Sequence, residues 1–194
     1  MSLSEEGYVN YFEILGVDEA AKPGDVRKEY RRRMKDLVAE IARVEITAER
    51  RAHYLLEMAK LNAALYVLRD AELRDTYWES RRQLIALEEE WRTACAEGAD
   101  RSDALRRQYD GKIRDFLGKY IEEAMLAAGR DKEVVENSHW DEAHERHASR
   151  ILRYYRQNLY QQILERLPFS EVTTPCIEWD ERARTVSELL AAAP

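Results

Sequence analysis

Cysteine, proline and glycine are scarce in this chain: two, four and seven copies in 194 residues. Cys95 and Cys176 lie far apart and form no C-x-x-C pair. That spacing excludes a disulfide framework and a zinc ribbon, and a reduced, cytoplasmic setting is expected. No run approaches the roughly 18 apolar residues of a membrane span. The first residues carry neither a basic stretch nor the apolar core of a leader, so a soluble, unexported chain is expected. Basic residues are outnumbered, with 31 Lys and Arg against 38 Asp and Glu, for a formal charge of -7. General affinity for nucleic acid requires a net basic surface. Neither nucleic acid nor a membrane is therefore expected as a partner.

The sequence does hold a core and much charge. Hydrophobic residues make up 45% and charged residues 36%, enough apolar material for one or two small domains. With few turn residues and no sustained β-branched alternation, the chain is expected to be all-α.

A short helix is expected from Tyr8 to Gly16, followed by a loop over Asp18 to Lys22. Pro23 opens the second helix at its first position, where its missing N–H costs nothing. Val26, Tyr30, Met34, Leu37, Ile41 and Val44 recur at steps of three and four and give this helix one apolar face. It should run to about Val44 or Glu45 before Thr47 caps a third helix over Ala48 to Leu68. A short fourth helix is expected from Asp70 to Tyr77 and Trp78.

Beyond Arg82 the amphipathic segments lengthen. They are expected over Glu79 to Ala96, Ser102 to Ala128 and His139 to Leu167, with Gly98, Gly129 and Pro168 as stops. Three such helices joined by short breaks most simply make an antiparallel bundle. After Pro168, an extended segment over Phe169 to Trp179 and a short helix capped by Asp180 are expected. The division read from the sequence is 8–80, 81–168 and 169–194.

Three stretches carry a resemblance: Asn10-Tyr11-Phe12-Glu13-Ile14-Leu15-Gly16-Val17, Leu61-Asn62-Ala63-Ala64-Leu65 and Asp70-Ala71-Glu72-Leu73-Arg74-Asp75-Thr76-Tyr77. Together they resemble the frame of a DnaJ-type J-domain. The resemblance implies a helical hairpin whose second helix meets a heat-shock chaperone ATPase through its basic face and a His-Pro-Asp tripeptide. The counterpart of that face is Arg27, Lys28, Arg31, Arg32, Arg33 and Lys35. Val38, Ala39 and Glu40 stand where the tripeptide should be. Proline would end the helix there, whereas alanine and glutamate prolong it. What is expected is a degenerate J-like domain fused to a helical bundle, an adaptor or assembly factor that recognises a protein without stimulating an ATPase in the usual way. The partner would be a chaperone ATPase, a client or a scaffold protein.

The order of the two halves is also similar to the J-type co-chaperones of iron-sulfur cluster assembly, whose bundle binds a cluster scaffold protein. Asn137 to Asp141 followed by Arg153-Tyr154-Tyr155 resembles the start of their last helix. On that alternative the partner surface would include Leu84, Ile85, Glu88, Trp91 and Tyr155.

Catalysis finds no footing. There is no G-x-S-x-G, no P-loop and no G-x-G-x-x-G, so no catalytic residue, no cofactor and no enzyme activity are expected. His139, His144 and His147 fall in one segment, but only that helix supplies histidine, whereas a carboxylate-bridged metal bundle draws ligands from all four helices. Surface or capping histidines are expected, and no metal. Tyr154, Tyr155 and Tyr160 spread round more than one side of the last long helix, which leaves intramolecular packing and a partner open for them.

Overall fold

Asn10 caps the first helix, α1 (Tyr11–Leu15), by accepting a hydrogen bond from the Phe12 N–H at 3.2 Å. The structure, a computed structural model, describes residues 8–42 and 47–167. Gly16 ends α1 in the left-handed region at φ 66°. A Cβ added there would fall on the Arg33 guanidinium. Gly16→Ala is therefore expected to cost about 1–3 kcal/mol through its backbone conformation alone, read as a lowered midpoint in urea denaturation.

Pro23 opens α2 (Pro23–Ile41), which buries Val26, Tyr30 and Met34 and half-buries Leu37, Val38 and Ile41. The helix runs unbroken through Val38, Ala39 and Glu40, as expected from the missing proline. Ala42 caps it; the expected further turn to Val44 or Glu45 lies outside the described residues.

Thr47 caps α3 (Ala48–Leu68) by accepting from the Arg50 N–H at 3.3 Å. From Leu55 onward α3 is buried on nearly every side, and α1, α2, α4, α6, α7 and α8 all touch it. A helix apolar all round belongs at the centre of a fold.

The expected short fourth helix and the first helix of the bundle are one element, α4 (Ala71–Ala96), capped by Asp70. No glycine or proline interrupts Ala71 to Ala96, and the Ser80 hydroxyl donates back to the Thr76 carbonyl within the helix, so the helix passes through the change of composition at Arg82. At 1.5 Å per residue its 26 residues span about 39 Å.

The next stretch is helical from Ser102 to Ala128 but not uniform. It comprises α5 (Ser102–Leu117), a π-helical segment (Gly118–Glu123) and α6 (Ala124–Ala128). Within the wider turns, the Tyr120 carbonyl accepts from the Tyr11 hydroxyl.

The expected last long helix needs correcting. His139 is not helical but left-handed, at φ 53°, and closes a short helix, α7 (Lys132–Ser138), that Asp131 caps. The last described helix, α8 (Glu142–Arg166), starts after Asp141 through a reciprocal capping box. Asp141 Oδ1 accepts from the His144 N–H at 2.9 Å, and His144 Nδ1 accepts from the Asp141 N–H at 3.1 Å. This pairing pins the start of α8 and explains why His144 stands where it does.

The fold is all-α, and no strand occurs among the described residues. No described helix is long and apolar enough to cross a membrane. Buried side chains from Tyr8 to Ile163 form one connected core. The segment expected beyond Pro168, extended and then helical, lies outside the described residues.

Candidate functional site

The side chains singled out on α2 divide into two groups. Lys28, Arg31, Arg32 and Lys35 are exposed, while Arg27 and Arg33 are half-buried. Arg32 pairs with Glu29 at 2.8 Å, and the Arg31 Nε donates to the Arg27 carbonyl at 3.3 Å. Arg27 reaches across to α7, where its Nε donates to Glu133 Oε1 at 2.8 Å.

Glu133 belongs to a larger knot. Its other oxygen accepts from Arg69 Nη1 at 2.7 Å, and Arg69 grips Asp131 with both nitrogens at 2.9 and 2.5 Å. Two-point guanidinium–carboxylate bonds are the stronger kind of charge pair. One turn inward, the Tyr30 hydroxyl donates to Asn62 at 2.8 Å, and the Asn62 amide contacts the Ser138 hydroxyl at 3.4 Å. These bonds fasten α2, α3 and α7 together. The sequence reading missed this knot, although Asp131 followed by Glu133 is a legible helix start.

The knot makes stability depend on pH. Partial burial works against the Asp131 charge, but hydrogen bonds from Arg69 and the Val134 N–H outweigh it and hold that carboxyl below the usual carboxylate range. The Arg27 hydrogen bond does the same for Glu133 against partial burial. Lowered folded-state values stabilise the fold above pH ~4, and that stability is lost as pH falls through them. Arg69→Ala is expected to cost about 2 kcal/mol at neutral pH and to lose less further stability than the parent on acidification, measured by urea denaturation at each pH.

The surface expected in the second half is mostly interior. Leu84, Glu88 and Trp91 are buried on α4, and Ile85 and Tyr155 are half-buried against the core. Their positions at i, i+4 and i+7 put Leu84, Glu88 and Trp91 on the inward stripe of α4. Glu88 and Trp91 are therefore not available to a partner in this conformation, and Leu84 reaches only the floor of a groove. Lys60 lies over the Tyr155 ring, 4.7 Å from its centroid.

Glu88 is 6% exposed and organises a polar cluster inside the core. One oxygen accepts from Tyr8 and, at 3.3 Å, from Tyr109; the other accepts from Arg92 Nε at 2.8 Å. The two phenols are 2.5 Å apart, and Trp91 stacks on Tyr109 with centroids 5.8 Å apart. Burial first, then the neighbouring phenol and Glu88, push the Tyr8 hydroxyl well above its ordinary value. Burial also raises Tyr109, with Glu88 adding to it against the contact with the Tyr8 hydroxyl. Both phenols remain protonated donors at neutral pH. This cluster ties the chain before α1 to α4 and α5.

Between α4 and α5 an open groove of about 430 Å³ is lined by Leu84, Leu87, Lys112, Phe116, Lys119 and Tyr120 among others. Its walls combine the rings of Phe116 and Tyr120 with two lysines and the carboxylates of Glu90 and Asp115.

His139 ends α7, His144 caps α8 and His147 is exposed. Among the described residues no group of three or more histidine, cysteine, aspartate or glutamate side chains is placed to hold a metal ion. Cys95 is half-buried on α4.

No family model matches the chain, and neither a curated protein nor a solved structure does.

Proposed function

We propose that the chain is a protein-binding adaptor or assembly factor: a J-like helical hairpin of α2 and α3 that has given up the ATPase contact and is joined to a helical bundle. The observation that carries this reading is the unbroken course of α2 through Val38, Ala39 and Glu40. A tripeptide that acts from a loop has no loop to act from there. The engagement of Arg27 by Glu133 supports it too, because one cation of the basic face is already occupied within the chain.

The test uses the full chain, since residue 80 lies in the middle of α4. Added to a heat-shock chaperone ATPase, the chain is expected to leave the hydrolysis rate unchanged. Val38→Ala with Glu40→Ala, which leaves three alanines at 38–40, is expected to leave partner binding intact. Stimulation by the unaltered protein would sink the proposal.

A second reading, an active co-chaperone of iron-sulfur cluster assembly, draws on the exposure of Lys28, Arg31, Arg32 and Lys35. It requires that Arg31→Glu with Arg32→Glu abolish a measurable effect on the ATPase.

A further inference from the structure

The outward face of α8 is free of acidic side chains over about four turns. His147, Arg150, Tyr154, Gln157 and Gln161 recur at steps of three, four, three and four, which places them on one side of the helix. All five are exposed, and Arg153 is exposed beside them. Ala148, Leu152 and Ile163 are buried on the opposite side. No aspartate or glutamate occurs between Glu145 and Glu165. Arg156, which lies toward the core, is taken up by Glu122 at 3.2 Å. Among the described residues, neither Arg150 nor Arg153 is held by an ion pair or hydrogen bond.

Tyr154 stands in the middle of this stripe with 67% of its surface exposed. An exposed tyrosine beside two free guanidinium groups is the side-chain combination that protein interfaces favour at their anchors. From His147 to Gln161 the stripe measures about 21 Å along the axis, the length of a four-turn helix.

From this face we infer a docking site for an acidic helix of a partner protein, laid along α8. Its carboxylates would meet Arg150 and Arg153, and an apolar side chain between them would cover the Tyr154 ring. The inference rests on the adaptor reading and names a surface for it. Charge decides against a nucleic acid: the whole chain carries -7, so a long polyanion that left the stripe would meet repulsion, whereas a short acidic helix ends with it. A membrane fits poorly, because the stripe offers one aromatic ring and no apolar face.

The probe is a synthetic glutamate-rich helical peptide carrying one tryptophan, with a lysine-for-glutamate version as control, titrated with the full chain by fluorescence anisotropy. The acidic peptide is expected to bind at least about tenfold tighter than the control, and Arg150→Glu with Arg153→Glu to remove about tenfold of that affinity. Tyr154→Ala should weaken it by about threefold or more. All three positions are exposed, so circular dichroism should show the variants folded. Binding unchanged by the charge reversal overturns the inference. So does tighter binding to duplex DNA or to anionic vesicles, or self-association that the charge reversal abolishes. If Arg31→Glu on α2 removes peptide binding and the α8 variants do not, this surface is wrong and the adaptor reading survives. ATPase stimulation by the full chain defeats the adaptor reading whatever the peptide does.

Discussion

Tyr77→Ala is expected to destabilise the protein by about 4 kcal/mol, the largest effect of any single substitution proposed for it. The side chain is fully buried. Its ring lies 4.9 Å from both Tyr11 and Tyr120 and 6.1 Å from Phe116, so truncation leaves a cavity where four aromatic residues meet. Its hydroxyl serves the backbone as well, accepting from the Tyr11 N–H at 3.0 Å and donating to the Val9 carbonyl at 2.7 Å. Tyr77→Phe separates the two contributions. It keeps the ring and strands two buried backbone groups, which should cost about 1–3 kcal/mol. Urea denaturation of the two variants checks both values, and a phenylalanine variant as unstable as the alanine one would show that the hydroxyl, not the ring, dominates.

Glu88→Leu should be the next most damaging, at about 3 kcal/mol. Leucine cannot accept from Tyr8 or Tyr109, and it removes the Glu88 carboxylate from the half-buried Arg92. Glu88→Gln retains an acceptor for the phenols and should recover part of the loss. Trp91 provides a local readout, because it stacks on Tyr109; its fluorescence should shift in the leucine variant before global unfolding. At the alkaline end the phenols govern. Their folded-state values are raised, so the stability they contribute is complete below the unfolded value near pH ~10 and declines as pH rises beyond it. The leucine variant should therefore show a shallower alkaline decline than the parent.

The helices with local punctuation were legible in the sequence. Pro23, Thr47 and Gly16 mark boundaries that the backbone obeys, because each acts through its own φ or its own cap. What went unread is of three kinds. The junction expected near Arg82 rests on a change in composition, but no glycine or proline stands there to stop a helix. The break at His139 has no glycine to announce it; a histidine adopts the left-handed conformation there. The π-helical segment has no residue signature at all. As for function, the basic side chains of α2 could be named from sequence, whereas the fate of Arg27 depended on Glu133, 106 positions away. Glu88 shows the opposite case: its place between Leu84 and Trp91 on one stripe marks it as inward, whereas the co-chaperone resemblance assigns it to a partner surface.

The distances along the chain between partners also bear on synthesis. Tyr11 bonds to Tyr120 and Tyr8 to Tyr109, separations of 109 and 101 residues. An emerging polypeptide thus completes α1, α2 and α3 while the side chains that seal their aromatic centre are still untranslated. Closure over such separations slows folding. Until about residue 120 leaves the ribosome, the nascent chain presents an unsealed aromatic patch, and that interval is when it is most exposed to aggregation.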